Sequence, residues 1–132
     1  MNDKYIHKEG IVYLNQYHIV FCPKYRRKVL VGDIEKDLRQ IFYDIAKEKG
    51  VKIKALEIMP DHVHMFISFD PRQPLHSLIR YFKGTSSRIL RDKYPELRSR
   101  IPSLWTRSYF CCTIGCVSEE TIQKYIENQK NI

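Results

Sequence analysis

With 132 residues, 43% of them hydrophobic and 29% charged, the chain can bury one ordinary core and is too apolar to be disordered. Its 23 lysines and arginines outnumber 15 acids, giving a net charge of +8 and a pI near 9.4, which favours a polyanionic partner. No apolar run reaches transmembrane length and the first fifteen residues lack a signal-peptide pattern, so a cytoplasmic protein with no membrane partner is expected. The cysteines, Cys22, Cys111, Cys112 and Cys116, form no C-x-x-C pair. The apolar company of Cys111 and Cys112 suits buried thiols, and a zinc site from Cys112, Cys116 and a histidine is the alternative.

Residues 1–10 are polar and expected to fray. Residues 11–22, rich in β-branched and aromatic types, predict a first strand that stops at Pro23. Lys24, Tyr25, Arg26, Arg27 and Lys28 follow, four cations around a ring, suited to phosphates and a stacked base or to a solvated turn. Asp33 as N-cap, apolar residues at helical spacing and Gly50 as stop predict a helix over 33–49. A second strand over 51–59 turns at Pro60 and Asp61 into a third.

That third strand carries His62 and His64. Strand side chains alternate, so both imidazoles share one face, about 6.6 Å apart along the strand, while Val63, Met65, Ile67 and Phe69 form an apolar row opposite. Two imidazoles at this spacing suit one divalent ion, and a solvated strand face produces the same pattern. Asp61 is placed either to orient an imidazole or simply to form the turn.

Pro74 predicts the start of a second amphipathic helix running to about Lys93. Arg80, Lys83, Ser87 and Arg91 make a mostly basic stripe along it, and the small residues 84–87 allow close approach of a backbone or a phosphate. Residues 96–104 read as a loop and 105–114 as a fourth strand. Near its entrance Trp105 and Arg107 suit a base and a phosphate, or Trp105 serves as a core lid. Ser118 caps a last helix, with Ile122, Tyr125, Ile126 and Gln129 along one side.

The order predicts an α+β domain over 1–132. It would be a ferredoxin-like, RRM-like four-stranded antiparallel sheet with two helices on one face and the last helix over the histidines. His62, His64, Gln129 and Tyr125 then converge. Imidazole nitrogens and an amide oxygen suit a divalent ion that polarises a phosphate. The Tyr125 phenol suits a nucleophile, and a phosphotyrosine linkage conserves the phosphodiester's energy for rejoining.

Asp61-His62-Val63-His64, Tyr125-x-x-x-Gln129, residues 17–27 and Phe82-Lys83-Gly84 together resemble the single-tyrosine HUH transposases, TnpA-like enzymes of insertion sequences. The resemblance spans nearly the whole chain. It implies Tyr125 as catalytic nucleophile and His62, His64 and Gln129 as ligands of magnesium or manganese. It further implies a homodimer whose sheets join and a substrate of single-stranded DNA with hairpin ends, cut to a 5′-phosphotyrosine and a free 3′-hydroxyl. From charge alone, Lys24, Tyr25, Arg26, Arg27, Lys28, Arg80, Lys83 and Arg91 are the expected DNA contacts. His7, His18 and His76 read as structural or surface residues. The alternatives are a non-catalytic nucleic-acid-binding module and a domesticated relative that processes genomic palindromes. The first would present aromatic pairs on the open sheet face. The second shares all the chemistry.

Overall fold

The computed structural model describes residues 4–113 and 118–129. The order is β1 (Ile6–Lys8), β2 (Ile11–Tyr13), β3 (Gln16–Phe21), a 3₁₀ turn (Lys24–Arg26), α1 (Gly32–Lys49), β4 (Lys52–Met59) and β5 (His62–Ser68). It continues with α2 (Leu75–Lys93), α3 (Pro95–Arg100), β6 (Phe110–Thr113) and α4 (Glu119–Glu127). The main sheet runs β4-β5-β3-β6 and every pair in it is antiparallel. This is the expected α+β sheet with two helices on one face and the last helix on the other.

The alternation in β5 sorts the two faces. Val63, Met65 and Ile67 are buried beside Ile19 and Phe21 of β3, under Leu38, Phe42 and Ile45 of α1 and Leu78, Ile79 and Phe82 of α2. Phe42 sits at the centre, edge-on to Phe21 at 6.1 Å and to Phe82 at 5.7 Å. Phe42→Ala should cost about 3–5 kcal/mol, because a fully buried ring leaves a cavity the sheet cannot close. Urea denaturation measures this, and a loss below about 1 kcal/mol would show that the helix layer repacks freely.

On the opposite face a smaller cluster joins Val20 and Cys22 of the β3 segment to Ile126, with Phe110, Ile122 and Tyr125 packed against it. α4 thus lies where its apolar side finds burial. Ser118 caps it, accepting from the Thr121 N–H at 3.2 Å.

Several local expectations need correction. Residues 6–8 do not fray. They pair with β2 in a two-stranded ribbon, and Gly10 at φ 80° makes the reversal. The predicted strand 11–22 is therefore two strands, broken before Gln16. Asp33 lies in the first turn of α1 and not at its cap, which is Val31, while Gly50 ends that helix at φ 67°. The loop expected over 96–104 begins with α3, for which Pro95 is a suitable first residue. Of the described part of the predicted strand 105–114, Phe110–Thr113 pairs with β3, and Trp105 instead bridges Pro23. Trp105 is buried, its ring edge-on to Phe21 at 4.8 Å and its N–H donated to Ser86 Oγ at 3.0 Å. Cys111 is exposed and Cys112 half-buried, against the expectation of buried thiols, because β6 is an outer strand. Cys22 is the buried thiol, pushed up to about 12 by burial and then by the Asp61 charge. Cys116 lies outside the described residues, as does the turn predicted at 115–117. Among the described residues no helix is long and apolar enough to cross a membrane.

Candidate active site

The register of the sheet places His64 in a row with Glu57 on β4, Val20 on β3 and Phe110 on β6. Met59 lies opposite His62, and His18 opposite Phe66. Directly paired residues share a face, so His62, His64, His18 and Glu57 all lie on the side that α4 partly covers.

Asp61 Oδ1 accepts from His62 Nδ1 at 2.9 Å, and its other oxygen meets Arg26 Nε at 3.3 Å. A neutral imidazole that donates through Nδ1 keeps Nε2 as its lone-pair nitrogen. Arg26 is held there by an unusual turn. Tyr25 and Arg26 adopt φ 59° and 51°, a left-handed conformation that costs residues with a Cβ roughly 1–2 kcal/mol each. The Arg26 guanidinium also donates to the Ile126 carbonyl of α4 at 3.5 Å. One side chain thus joins the histidine turn to the last helix.

His64 Nε2 lies 3.0 Å from His18 Nδ1, sharing a hydrogen bond, and His18 stacks on Phe66 with ring centres 4.3 Å apart. Burial, followed by the neighbouring His18, lowers the His64 pKa, and burial lowers that of His18. Both rings are therefore biased toward the neutral form that can ligate a metal. His18, read from sequence as structural or surface, belongs to this face.

Between the sheet and α4 is a cleft of about 390 Å³ lined by Glu57, His62, His64, Ile122, Gln123 and Ile126. Gln129 is 4% exposed, and its Oε1 is buried with no hydrogen-bond partner among the described residues. A buried amide oxygen without a donor is costly, and a cation removes that cost. Among the described residues no three His, Cys, Asp or Glu side chains form a metal-sized group, and Gln129 does not line the cleft that holds His62 and His64. His62 and His64 offer imidazole nitrogens of a kind that suits a divalent ion.

Tyr125 is not brought to the imidazoles. Its ring packs against Phe110, and its hydroxyl shares a 2.8 Å hydrogen bond with Ser108 Oγ. Burial pushes its pKa up to about 12, against the opposing pull of hydrogen bonds from Ser108 and Thr106. The phenol is therefore fully protonated at neutral pH in this position.

The basic residues divide by their contacts. Tyr25, Arg27 and Lys28 are exposed, and Lys24 is half-buried with its ammonium 5.3 Å from the Tyr25 ring centre. Arg80 is exposed on α2. Arg91 donates to the Ile101 carbonyl at 3.1 Å, and Lys83 to the carbonyls of Thr106 and Ser108. Sequence reasoning overlooked Glu57, Gln123 and Ser108. Glu57 was discoverable by extending the β4–β5 hairpin register two pairs beyond Met59 and His62, whereas Ser108 has no signal short of the fold.

Comparison with solved structures gives the class. The crystal structure of a transposase from Deinococcus radiodurans R1 superposes with a TM-score of 0.86 at 36% identity, covering 96% of this chain and 99% of that one. A REP-associated tyrosine transposase bound to a REP hairpin shares the fold at TM-score 0.57 and 13% identity, over 93% of this chain and 70% of that one. The family described as "Transposase IS200 like" matches residues 11–129, and the chain belongs to it. The ISDra2 transposase TnpA of Deinococcus radiodurans is 39% identical over 122 residues, 91% of this chain and 87% of that protein. The transposase of insertion sequence IS200 from Salmonella typhimurium is 34% identical over 116 residues, 86% and 76% of the two chains.

Proposed function

We propose that this transposase cuts and rejoins single-stranded DNA at hairpin-marked ends through a covalent 5′-phosphotyrosine formed on Tyr125. The observation that supports the reading is the buried, unpartnered Oε1 of Gln129, two residues past the end of α4, whose Ile122, Gln123 and Ile126 face His62 and His64 across the cleft. His62, His64 and Gln129 would hold magnesium or manganese, which when bound supplies Lewis-acid polarisation of the scissile phosphate.

The remaining work belongs to the chain. Asp61 keeps the His62 ring in the tautomer that presents Nε2, and Arg26 holds Asp61. Tyr125 leaves Ser108, gives its proton to solvent, and its oxygen attacks phosphorus. The P–O3′ bond breaks, and the 3′-oxygen departs and takes up a proton as a free hydroxyl. In the reverse step a 3′-hydroxyl attacks the phosphotyrosine and restores the phenol, so rejoining needs no nucleotide cofactor. Tyr125 reaches the paired imidazoles of its own protomer or of a partner in a homodimer.

Lys24, Arg26, Arg27, Lys28, Arg80, Lys83 and Arg91 supply positive charge for the DNA backbone, and the exposed Tyr25 ring offers a stacking surface among them. The test is incubation with manganese and a labelled single-stranded hairpin oligonucleotide, resolved on a denaturing gel. A covalent species of protein and DNA is expected, and its absence under every divalent metal would overturn the proposal.

A further inference from the structure

A second cavity lies away from the histidine face, between α2 and the segment that leads into β6. It is a largely open groove of about 330 Å³, lined by the cations Arg80, Lys83 and Arg107 and by the apolar Ile79, Trp105 and Tyr109. No carboxylate lines it. Arg80 and Arg107 are exposed, and neither has an ion-pair partner among the described residues. Gly84 adds open space at the wall, since a Cβ there would meet nothing within 4 Å. The volume is at the lower end of small-ligand clefts, about 300–1,000 Å³, and suits one nucleotide unit.

Lys83 sits at the point that matters. Its ammonium has three N–H groups. Two are donated to the Thr106 carbonyl at 2.7 Å and the Ser108 carbonyl at 3.0 Å. The same Ser108 holds the Tyr125 hydroxyl. Cavity, ammonium, segment 106–108 and phenol are therefore joined in one chain of contacts.

We propose that this cavity seats a phosphodiester of the DNA strand, and that filling it draws Lys83 from the two carbonyls and frees Ser108 to release Tyr125. An ionised phosphate adds the attraction of a full opposite charge, which neither carbonyl offers, so the ammonium turns to the anion. Burial pulls Lys83 down to about 8, which marks an ammonium short of countercharge that a phosphate would supply. Ile79, Trp105 and Tyr109 offer the sugar and base an apolar wall. The release rests on Tyr125 being the nucleophile, whereas the seat does not.

The experiment compares the wild-type chain, Arg80→Ala/Arg107→Ala and that pair with Ser108→Ala added. A labelled single-stranded hairpin oligonucleotide is titrated by anisotropy between 50 and 200 mM salt (conditions chosen to read the ionic slope). Losing two phosphate contacts should weaken binding about tenfold and lower the log–log salt slope by about 1.4–1.8. At saturating oligonucleotide with manganese, the double variant should form the covalent species about tenfold more slowly, and the triple variant should recover the rate but not the affinity. Unchanged affinity and slope would overturn the seat. A triple variant as slow as the double would overturn the release. If the wild-type chain forms no covalent species, the nucleophile reading and the release fall together, while affinity and slope still decide the seat.

Discussion

Replacing Tyr125 with phenylalanine will abolish the covalent protein–DNA species while hairpin binding stays within about threefold of wild type. Removing the only atom that bonds to phosphorus lowers a covalent mechanism by at least about 10³-fold. The ring's packing on Phe110 and its place beside Val20 and Cys22 survive the change, so α4 stays docked. The lost hydroxyl leaves Ser108 half-buried and able to meet water, which keeps the stability cost small. Denaturing gels and anisotropy on the same preparation separate the two effects. A covalent species formed by this variant would remove Tyr125 from the mechanism.

The second large effect is expected at the paired imidazoles. His62→Ala, or EDTA added to the wild-type chain, should lower cleavage by about a hundredfold or more, with DNA affinity nearly unchanged. His62 is the more informative choice, because Asp61 and Arg26 hold it from behind and the ring supports no core contact. His64 also meets His18, so its loss disturbs two residues at once. Cleavage that proceeds equally well in EDTA would show that the imidazoles act without an ion.

How far these sites could be read beforehand depended on the range of the contacts. The strict alternation from His62 to Phe69 is a local pattern, and it assigned the core face and the open face correctly. The helical spacing from Ile34 to Ala46 and the stop at Gly50 were equally local. The ribbon of β1 and β2 was missed because Ile6 is the only apolar residue of β1, and of the six residues only Tyr13 is buried. Residues 105–109 look like a strand by composition, but their backbone is held by Pro23 and Lys83 rather than by a ladder. His18 and Ser108 depended on contacts 46 and 17 residues away in the chain, which no spacing rule reaches. Tyr125 and Gln129 are one helical turn apart, yet the fold gives them different partners. The amide is buried without a donor, and the phenol is tied to Ser108.

The left-handed turn at Tyr25 and Arg26 bears on how this chain can be engineered. Glycine at Tyr25 would relax the backbone by about 1–2 kcal/mol. It would also widen the range of directions open to the guanidinium that bridges Asp61 and the Ile126 carbonyl. Selection for heat tolerance and selection for turnover therefore pull this one peptide unit in opposite directions, and a library sorted on melting temperature alone would drift toward sturdier but slower proteins.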